Sequence, residues 1–473
     1  MKKNLLKRAV AIVLASAMAL SLAACGDGAG KSKKGAKAYT AIKKDGKVVD
    51  LGGMEVIIRD WWSDPEGKEQ EPKSEYDEAV QEYHQWLQET YNFTLKTMGI
   101  SDWGSAPQDF VDYVSTGGDD KNYVFVERWS SEILNAMYTG MCYDLATLDC
   151  IDFNEQKYQI NQTHVKATFG NSVYAFAAGY VQPKHGIFFN KQVLKDAGIE
   201  PDQIYDWQKN GEWTWDKFDE VCSKVQRDLD GDGVDDIYGM TMNEGAEFQP
   251  WIESNGGALV KKDASGKLYY ALEDADSMKG FQNFVDLCAK YDNHDPEGAQ
   301  WDYYKEEFLS GKVAFLCEEF YAGTGTTNYL TDPENGAKFD VGFVMYPKGP
   351  DCDHYISLFN DNPYVIPGCY DADRAWKIAF AVDQWKNQPA GYEDFNAQFS
   401  DARNGIFDDR AVTETVDYMT NPDNAFIRYM QIVPTLCDSA PADLGWPNWY
   451  TVPSSAAESV RETWKAYIAD ANK

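Results

Sequence analysis

Two successive runs of alternating strands and helices constrain the fold of this chain more than any other feature of its sequence. The first run has a strand at 54–62, an amphipathic helix at 77–91, a second strand at 92–100 and an apolar strand at 123–127. From residue 173 the same order repeats, and an apolar strand at 185–190 is followed at once by a helix. Strand–helix alternation of this kind favours mainly parallel sheets flanked by helices. The sequence therefore predicts an α/β protein of two lobes with a ligand cleft between them.

The N-terminal residues have the pattern of a bacterial export signal. Residues 1–24 hold four cations followed by an apolar run, which is shorter than the roughly 20 residues that span a bilayer. The segment Leu22-Ala23-Ala24-Cys25 resembles the lipobox of bacterial lipoproteins, with a plain signal peptide as the alternative. This resemblance implies that Cys25 carries a lipid and anchors the chain on the outer face of the membrane. Residues 25–49, rich in Gly, Ala and Lys, predict a flexible tether.

The composition excludes some classes of partner and favours another. A formal net charge of −32 argues against nucleic acid, because the phosphates would be repelled. Aromatic residues make up 14% of the chain, which suits a protein that stacks rings on its ligand. Eight cysteines remain besides Cys25, and their pairing cannot be read from their spacing. Since there are five histidines and no CxxC motif, a zinc site is not expected.

An acidic loop at 228–236 has the spacing of a calcium-binding loop. Carboxylates recur at alternate positions, and Gly233 permits the sharp turn that would bring them onto one ion. The position where a glutamate usually completes such a loop is Gly239, so a solvated acidic turn is the alternative. The predicted ligands of a structural Ca²⁺ are the carboxylates of Asp228, Asp230, Asp232 and Asp236 and the carbonyl of Val234.

Catalytic machinery is not evident in the sequence, and no cofactor for chemistry is expected. Glu318 and Glu319 are neighbours on a predicted strand, so their side chains point to opposite faces and cannot form a facing acid/base pair. A glycosidase could still be assembled from carboxylates that are distant in sequence. We therefore predict a binding protein and keep a hydrolase as the alternative.

Aromatic residues cluster where the strands are predicted to end. In α/β sheets, ligands meet the loops at the carboxyl ends of strands, and an aromatic face can stack on the CH patches of a sugar ring. Core packing is the alternative for any one of these residues. The candidate ligand-binding aromatics are Trp61, Trp62, Trp129, Tyr180, Trp251, Tyr321, Trp446 and Trp449.

Several motifs, taken in order, resemble the extracellular solute-binding proteins of ABC importers, of the maltose-binding-protein-like family 1. The most specific is YAFAAGYVQPKHGIFFNKQVLKDAGI (174–199), and it is followed by EWTWDKFDEVCSKV (212–225) and FLSGKVAFLCEEFYAG (308–323). The resemblance runs from about residue 50 to the C-terminus. It implies a two-lobed, type II periplasmic-binding-protein-like fold that closes around its ligand.

The resemblance also implies a domain organisation, further site residues and partners. Lobe 1 would comprise 50–178 and 366–435, and lobe 2 would comprise 183–361 and 440–473. Asp60 and Glu319 join the aromatic residues as ligand-facing positions. The implied function is to capture an oligosaccharide at the extracellular face of the cytoplasmic membrane and deliver it to an ABC permease. A lipid-anchored glycoside hydrolase, or a binder of a non-sugar solute such as a peptide, is the alternative.

Overall fold

The structure is a computed structural model that describes residues 39–69, 71–292, 300–325, 328–360, 362–446 and 452–473. The predicted signal, Cys25 and Trp449 lie outside the described residues. Residues 43–473 cluster as one unit. The helices found in the described ranges include none that is both long enough and apolar enough to cross a membrane.

The strands are mostly short, and the longest have seven residues. In chain order they are β1 (Lys43–Lys44), β2 (Lys47–Val48), β3 (Met54–Asp60), β4 (Phe93–Gly99), β5 (Asn122–Val126), β6 (Thr168–Phe169), β7 (Ser172–Val173), β8 (Gln182–Pro183), β9 (His185–Asn190), β10 (Tyr238–Met242), β11 (Val260–Lys262), β12 (Leu268–Tyr270), β13 (Val313–Glu319), β14 (Val341–Val344), β15 (Phe359–Asn360) and β16 (Tyr364–Val365).

Helices alternate with these strands along most of the chain. They are α1 (Glu75–Tyr91), α2 (Ala106–Ser115), α3 (Ser131–Tyr138), α4 (Gln156–Gln159), α5 (Thr163–Lys166), α6 (Lys191–Asp196), α7 (Asp202–Lys209), α8 (Trp215–Val225), α9 (Glu244–Glu253), α10 (Ala275–Tyr291), α11 (Tyr303–Leu309), α12 (Ala372–Trp385), α13 (Ala397–Arg403), α14 (Asp417–Thr420), α15 (Leu436–Asp443) and α16 (Pro453–Ala471). Short 3-10 turns lie at Leu145–Thr147, Phe320–Gly323, Pro422–Asn424 and Tyr429–Ile432, and a π-helical turn lies at Ala411–Val416.

Two four-stranded sheets organise the molecule. The first has the order β16-β5-β3-β4, in which β3 is parallel to both β4 and β5, and β16 is antiparallel to β5. The second has the order β10-β13-β9-β14, in which β10 and β13 are parallel and β9 is antiparallel to both of its neighbours. The prediction of mainly parallel sheets is therefore confirmed for the first sheet, whereas the second sheet is mixed. Every residue of β9 is buried, as expected for a strand covered on both faces.

Local sequence signals explain where the helices begin. The Thr214 hydroxyl accepts a hydrogen bond from the backbone N–H of Lys217 and caps α8, as its position before the apolar face predicts. Ser74 caps α1 and Ser130 caps α3 in the same way. Helix α1 ends at Tyr91, and the next residue, Asn92, adopts the left-handed conformation common at helix ends.

Three chain segments lie side by side where the chain passes from one sheet to the other. β8 pairs antiparallel with β15, and Ser357 forms a parallel bridge with Ala425. The backbone N–H of Ser357 donates to the carbonyl of Asn424 at 3.2 Å, and the N–H of Phe426 donates back to Ser357 at 2.8 Å. The connections between the two sheets therefore consist of a few residues each. Hinge motion in other proteins occurs at short connections of this kind.

The stretch at 405–420 packs against the second sheet, although the predicted boundaries assign it to lobe 1. The hydroxyl of Thr415 donates to the carbonyl of Phe343 in β14 at 3.0 Å, and Gln208 of α7 donates to Thr415 at 2.9 Å. Arg410 pairs with Asp206 of α7 at 2.9 Å. Because these contacts are with α7 and β14, residues 405–420 belong with the second sheet, whereas the prediction places them in lobe 1. The other predicted lobe boundaries are not tested by these contacts.

Candidate ligand-binding site

The carboxyl ends of three parallel strands meet at one edge of the first sheet. Trp61 and Trp62 follow β3, Trp103 follows β4, and Arg128 and Trp129 follow β5. We call these five residues the first edge. Carboxyl ends of strands are where α/β sheets bind their ligands.

Two tryptophans of the first edge present their rings to solvent. Trp62 is 56% exposed and Trp103 is 60% exposed. The rings of Trp61 and Trp62 pack edge to face with centroids 4.9 Å apart. Since one ring supports the other, the exposed face of Trp62 is held in a defined orientation.

Asp60 shapes the turn that carries these tryptophans. It is 1% exposed, and its carboxylate accepts hydrogen bonds from the backbone N–H groups of Trp62 (3.2 Å) and Ser63 (2.9 Å). The Ser63 hydroxyl donates to its second oxygen at 2.7 Å. The predicted ligand-facing role of Asp60 is therefore corrected, because its oxygens are already used inside the protein.

Arg128 and Trp103 form a contact that the sequence prediction missed. The guanidinium of Arg128 lies 4.4 Å from the centre of the Trp103 ring, and its Nε donates to the Trp103 carbonyl at 3.2 Å. Its Nη1 donates to Asp438 of α15 at 3.3 Å. Arg128 lies two residues after the end of β5, and Trp103 lies four residues after the end of β4. The strand-end criterion that selected Trp62 would therefore also have selected them.

Trp129 supports the first edge from inside. It is 8% exposed, and the ammonium of Lys166 lies 5.0 Å from the centre of its ring. The same ammonium lies 5.3 Å from the ring of Phe359 in β15 and donates to Gln431 at 2.9 Å. Trp129 therefore joins the first edge to the crossing segments and offers little ring surface to a ligand.

The carboxyl ends of β10 and β13 form the corresponding edge of the second sheet. Glu319 ends β13, and Tyr321 follows with 42% of its side chain exposed. Trp446 is 39% exposed and covers Gly245 at the start of α9, where an added Cβ would lie 3.5 Å from the ring. Lys184 approaches Glu319 with 3.8 Å between Nζ and Oε1.

Trp301 and Lys305 extend this edge, and the sequence prediction missed both. Trp301 is 66% exposed, and the ammonium of Lys305 lies 5.0 Å from the centre of its ring. The same ammonium lies 5.7 Å from the ring of Tyr304 and 5.2 Å from that of Tyr329. We call Trp301, Glu319, Tyr321 and Trp446 the second edge.

A buried layer of ionisable side chains lies beneath the second edge. Arg428 forms a bidentate pair with Glu253, with Nε–Oε1 at 2.8 Å and Nη2–Oε2 at 2.7 Å. Its Nη1 donates to Nε2 of His185 at 3.1 Å, and Nδ1 of His185 contacts Oε1 of Glu247 at 2.9 Å. Burial, followed by the positive charge of Arg428, holds the pKa of His185 well below its usual range.

Two glutamates of this layer are held toward their protonated forms. Burial raises the pKa of Glu247 to about 7, against the opposing effect of a hydrogen bond of 2.5 Å from the Tyr346 hydroxyl. Burial, and then the neighbouring Glu247, raise the pKa of Glu318 to about 8. The Tyr329 hydroxyl donates to Glu318 at 2.9 Å. Glu318 is buried and Glu319 is partly exposed, as the prediction of opposite faces requires.

Trp251 and Tyr180, both predicted to face the ligand, lie elsewhere. Trp251 is 0% exposed and packs on Tyr346 and Phe218 with ring centroids 5.1 and 5.2 Å apart, so it is corrected to a core residue. Tyr180 lines a cavity of about 270 Å³ whose other walls come from α1 and from residues 385–398.

The acidic loop folds around its own backbone. Asp228 accepts hydrogen bonds from the N–H groups of Gly231 (2.6 Å) and Gly233 (2.8 Å). The bond from Gly233 has the larger effect, and both bonds lower the pKa of Asp228. Carboxylate oxygens of Asp228, Asp230 and Asp236 all lie within 4.8 Å of one another.

The remaining predicted ligands of the loop are placed differently. Asp232 accepts from the N–H of Val234 at 2.8 Å, and Val234 is 61% exposed. Gly239 lies in β10 and no helix follows the loop directly. The described loop therefore brings three of the four predicted carboxylates together.

Solved structures with the same fold are bacterial binding proteins. UgpB from Mycobacterium tuberculosis in complex with glycerophosphocholine has a TM-score of 0.57 at 16% identity and covers 89% of this chain and 99% of its own. The cyclic alpha-maltosyl-1,6-maltose binding protein from Arthrobacter globiformis has a TM-score of 0.57 at 13% identity, with 89% and 100% covered. An ABC substrate-binding protein from Listeria monocytogenes in complex with cycloalternan has a TM-score of 0.54 at 13% identity, with 88% and 99% covered. These similarities confirm the type II periplasmic-binding-protein fold.

The family follows from the sequence. The model of the bacterial extracellular solute-binding proteins matches residues 106–378, which is more than half of the chain. The chain therefore belongs to this family, as its motifs predict, and solute binding is its activity. No curated protein matches the chain by sequence.

Proposed function

We propose that this protein captures an oligosaccharide outside the cytoplasm and delivers it to the transmembrane subunits of an ABC importer. The observation that carries this proposal is the set of exposed rings at both sheet edges. Trp62, Trp103, Trp301 and Trp446 are 56%, 60%, 66% and 39% exposed, and groups of exposed apolar side chains mark binding sites. Each ring matches the apolar CH face of a sugar.

Charged groups beside these rings suit the hydroxyls of a sugar. Arg128 at the first edge supplies N–H donors, and Glu319 at the second edge supplies acceptor oxygens. A ligand that touches both edges would bridge the two sheets and be stabilised only when they approach each other. Ligand contacts made only in the closed form are what drive closure.

The ligands of structural relatives favour a carbohydrate over other solutes. The Arthrobacter protein binds a cyclic maltosyl-maltose, and the Listeria protein was solved with cycloalternan. The mycobacterial relative holds glycerophosphocholine, which makes that compound the natural test of a non-sugar ligand.

The test is a binding screen of the chain without its first 25 residues. Starch-derived and plant-wall oligosaccharides, glycerophosphocholine and short peptides are each added while the melting temperature is recorded. A ligand that binds the folded state raises this temperature with concentration. A rise with a glycan supports the proposal, and a rise with peptide or glycerophosphocholine alone would replace the sugar by that solute.

A hydrolase is separated from a binding protein by turnover. Incubation with the glycan that binds should release no new reducing ends when the protein acts only as a carrier. Accumulation of reducing ends over many equivalents of protein would overturn the carrier function.

We also propose that Cys25 is lipidated and holds the protein at the extracellular face of the cytoplasmic membrane. Acyl chains buried in the bilayer would keep the binding protein near its permease. Cells grown with an alkyne-bearing palmitate should label the wild-type protein and leave Cys25→Ser unlabelled. Equal labelling of both proteins would contradict the anchor.

The loop at 228–236 is proposed to hold a structural Ca²⁺. Three carboxylates already lie close together, and backbone hydrogen bonds fix Asp228 in its ionised form. Hard oxygen ligands of this kind are those that calcium prefers.

A further inference from the structure

A buried cluster of polar side chains lies where helices α9 and α10 pack beside β10 of the second sheet. The carboxylate of Glu244 stands at the start of α9, and Cys288 and Asp292 stand at the end of α10 and just after it. Asp292 also forms a parallel bridge with Met240 of β10. This cluster therefore joins one strand and two helices, and it contains none of the ring-bearing residues of the second edge.

The three side chains place their ligand atoms around one point. A carboxylate oxygen of Glu244, the Sγ atom of Cys288 and a carboxylate oxygen of Asp292 all lie within 4.8 Å of one another. The residues are 8%, 0% and 5% exposed. Two carboxyl groups this close in a buried place repel each other when both are ionised, and solvent is too distant to screen them.

Thr241 and Glu244 face the buried carboxyl group of Asp292. Neither of its carboxylate oxygens receives a hydrogen bond in the part of the chain that the structure describes. Thr241 lies beside it, but the single hydroxyl proton of Thr241 points to Glu307 with Oγ1–Oε2 at 3.1 Å. A buried carboxylate without donors is rare in proteins, and either a proton or a bound cation neutralises it.

We propose that Glu244, Cys288 and Asp292 bind a divalent cation of the zinc type. Zn²⁺ accepts cysteine sulfur together with carboxylate oxygen in a tetrahedral set, whereas Ca²⁺ and Mg²⁺ take oxygen ligands. Around a tetrahedral Zn²⁺ the ligand atoms stand about 3.5 Å apart. Small rotamer changes would bring the ligand atoms of Glu244, Cys288 and Asp292 to this spacing. The thiol of Cys288 loses its proton to solvent as the ion binds.

The proposed ion has a structural role. It ties the start of α9 to the end of α10 and neutralises two carboxylates that otherwise repel. Thr241 and Glu307 lie next to the ligands and can orient them, as outer groups do at other metal sites. This site differs from the exposed acidic loop, which has oxygen ligands alone.

Cobalt(II) alone is the probe that distinguishes this site from the acidic loop. A Co²⁺–thiolate bond gives a near-ultraviolet charge-transfer band, and a site with carboxylate ligands gives none. Protein purified from cells that express the full chain is stripped with chelator and titrated with Co²⁺. We expect this band to saturate at one equivalent and to disappear when Zn²⁺ is added.

The variants assign the ligands. Cys288→Ser should abolish the band, and Asp292→Asn should weaken Co²⁺ binding at least tenfold while keeping the shape of the side chain. Cys222→Ser is the matched control, since Cys222 is also a fully buried thiol, on α8, and lies outside the cluster; its band should be unchanged.

Two results would overturn the proposal. The first is a wild-type protein that shows no charge-transfer band at any Co²⁺ concentration. In that case Asp292→Asn should raise the melting temperature, which would mean that the two carboxyl groups share a proton. The second is a band that persists in Cys288→Ser. If Cys288→Ser does not fold, loss of the zinc content measured by mass spectrometry in Asp292→Asn supports the site, and unchanged zinc content contradicts it.

Discussion

The first and second edges occupy the same position in their sheets, yet they are built differently. At the first edge the charged group, Arg128, lies against the exposed ring of Trp103, and backbone N–H groups satisfy the buried carboxylate of Asp60. A second buried carboxyl group, that of Glu127, has its pKa raised by burial to about 8. At the second edge the exposed rings stand above a buried layer of His185, Glu247, Glu318 and Arg428. The first edge therefore has one isolated buried carboxyl group, Glu127, whereas the second edge stands on a connected layer of buried ionisable side chains.

This difference separates two kinds of variant. A change in an exposed ring of the first edge removes surface that a ligand would touch and leaves the fold intact. A change in the buried layer leaves a partner charge without its counter-ion, and the whole second sheet is affected. Binding and stability should therefore respond to different residues.

The largest effect is expected for Arg428→Met. This change leaves Glu253 buried without its bidentate partner, and breaking such a pair typically costs about 3–5 kcal/mol of the free energy of unfolding. Urea unfolding measures the loss. Arg461→Met is the matched control, because the Arg461–Glu273 pair is also bidentate but lies near the surface, and it should lose much less. Similar losses in both variants would contradict the role of the buried layer.

The next effect concerns ligand affinity. Replacing both Trp62 and Trp103 by alanine should weaken glycan binding about 10- to 100-fold, because stacking surface is lost. The unfolding midpoint should change little. Tyr138→Ala is the control, since Tyr138 is an exposed aromatic residue (44%) that is the last residue of α3 and belongs to neither edge. Titration calorimetry compares the three proteins, and an unchanged affinity in the double variant would exclude the first edge as a binding surface.

The pH dependence of stability should identify the buried layer. Because the pKa of Glu318 is about 8 in the folded protein, the folded state keeps a proton that the unfolded chain releases near pH 4.5. The free energy of unfolding should therefore fall as pH rises between about 4.5 and 8, by at most about 1.4 kcal/mol per pH unit for one proton. Glu318→Gln removes this contribution and keeps the acceptor for Tyr329.

The difference between these two proteins isolates Glu318. Both proteins contain Glu247 and His185. The lowered pKa of His185 changes stability with pH in the direction opposite to that of Glu318. Urea unfolding from pH 5 to pH 8.5 should show the wild type losing stability relative to Glu318→Gln as pH rises. Parallel curves would show that Glu318 does not titrate in this range.

The smallest effect is expected at the acidic loop, which belongs to neither edge. Calcium should raise the melting temperature of the wild type by about 1–3 °C, and Asp230→Ala should remove this rise while changing little in EDTA. Asp263→Ala is the control, because Asp263 organises a similar turn through the N–H groups of Ser265 and Lys267. A rise that survives in Asp230→Ala would place calcium elsewhere.

The sequence predicted the fold well where one local signal sufficed. The apolar run at 185–190 is β9 residue for residue, and the cap at Thr214 starts α8 where the pattern places it. The apolar run at 173–180 does not form a strand, since β7 ends at Val173 and Phe176 makes only an isolated bridge to Tyr364. Apolar residues there bury themselves against neighbouring elements without forming a ladder, and residue periodicity does not reveal that.

The candidate site was harder to predict because exposure is a tertiary property. Trp62 and Trp251 look alike in sequence, yet one ring is 56% exposed and the other is fully buried against Phe218 and Tyr346. Arg428 is distant in sequence from Glu253 and His185, so no local pattern predicts their contact.

The central claim is that the rings at the two edges bind a glycan, and direct titration tests it. The chain without its first 25 residues is titrated with the best glycan of the panel while heat and tryptophan fluorescence are recorded together. We predict saturable binding of one glycan per chain, with a change in tryptophan fluorescence that saturates at the same concentration. Saturable heat without any fluorescence change, or no binding to any glycan in the panel, would contradict the account.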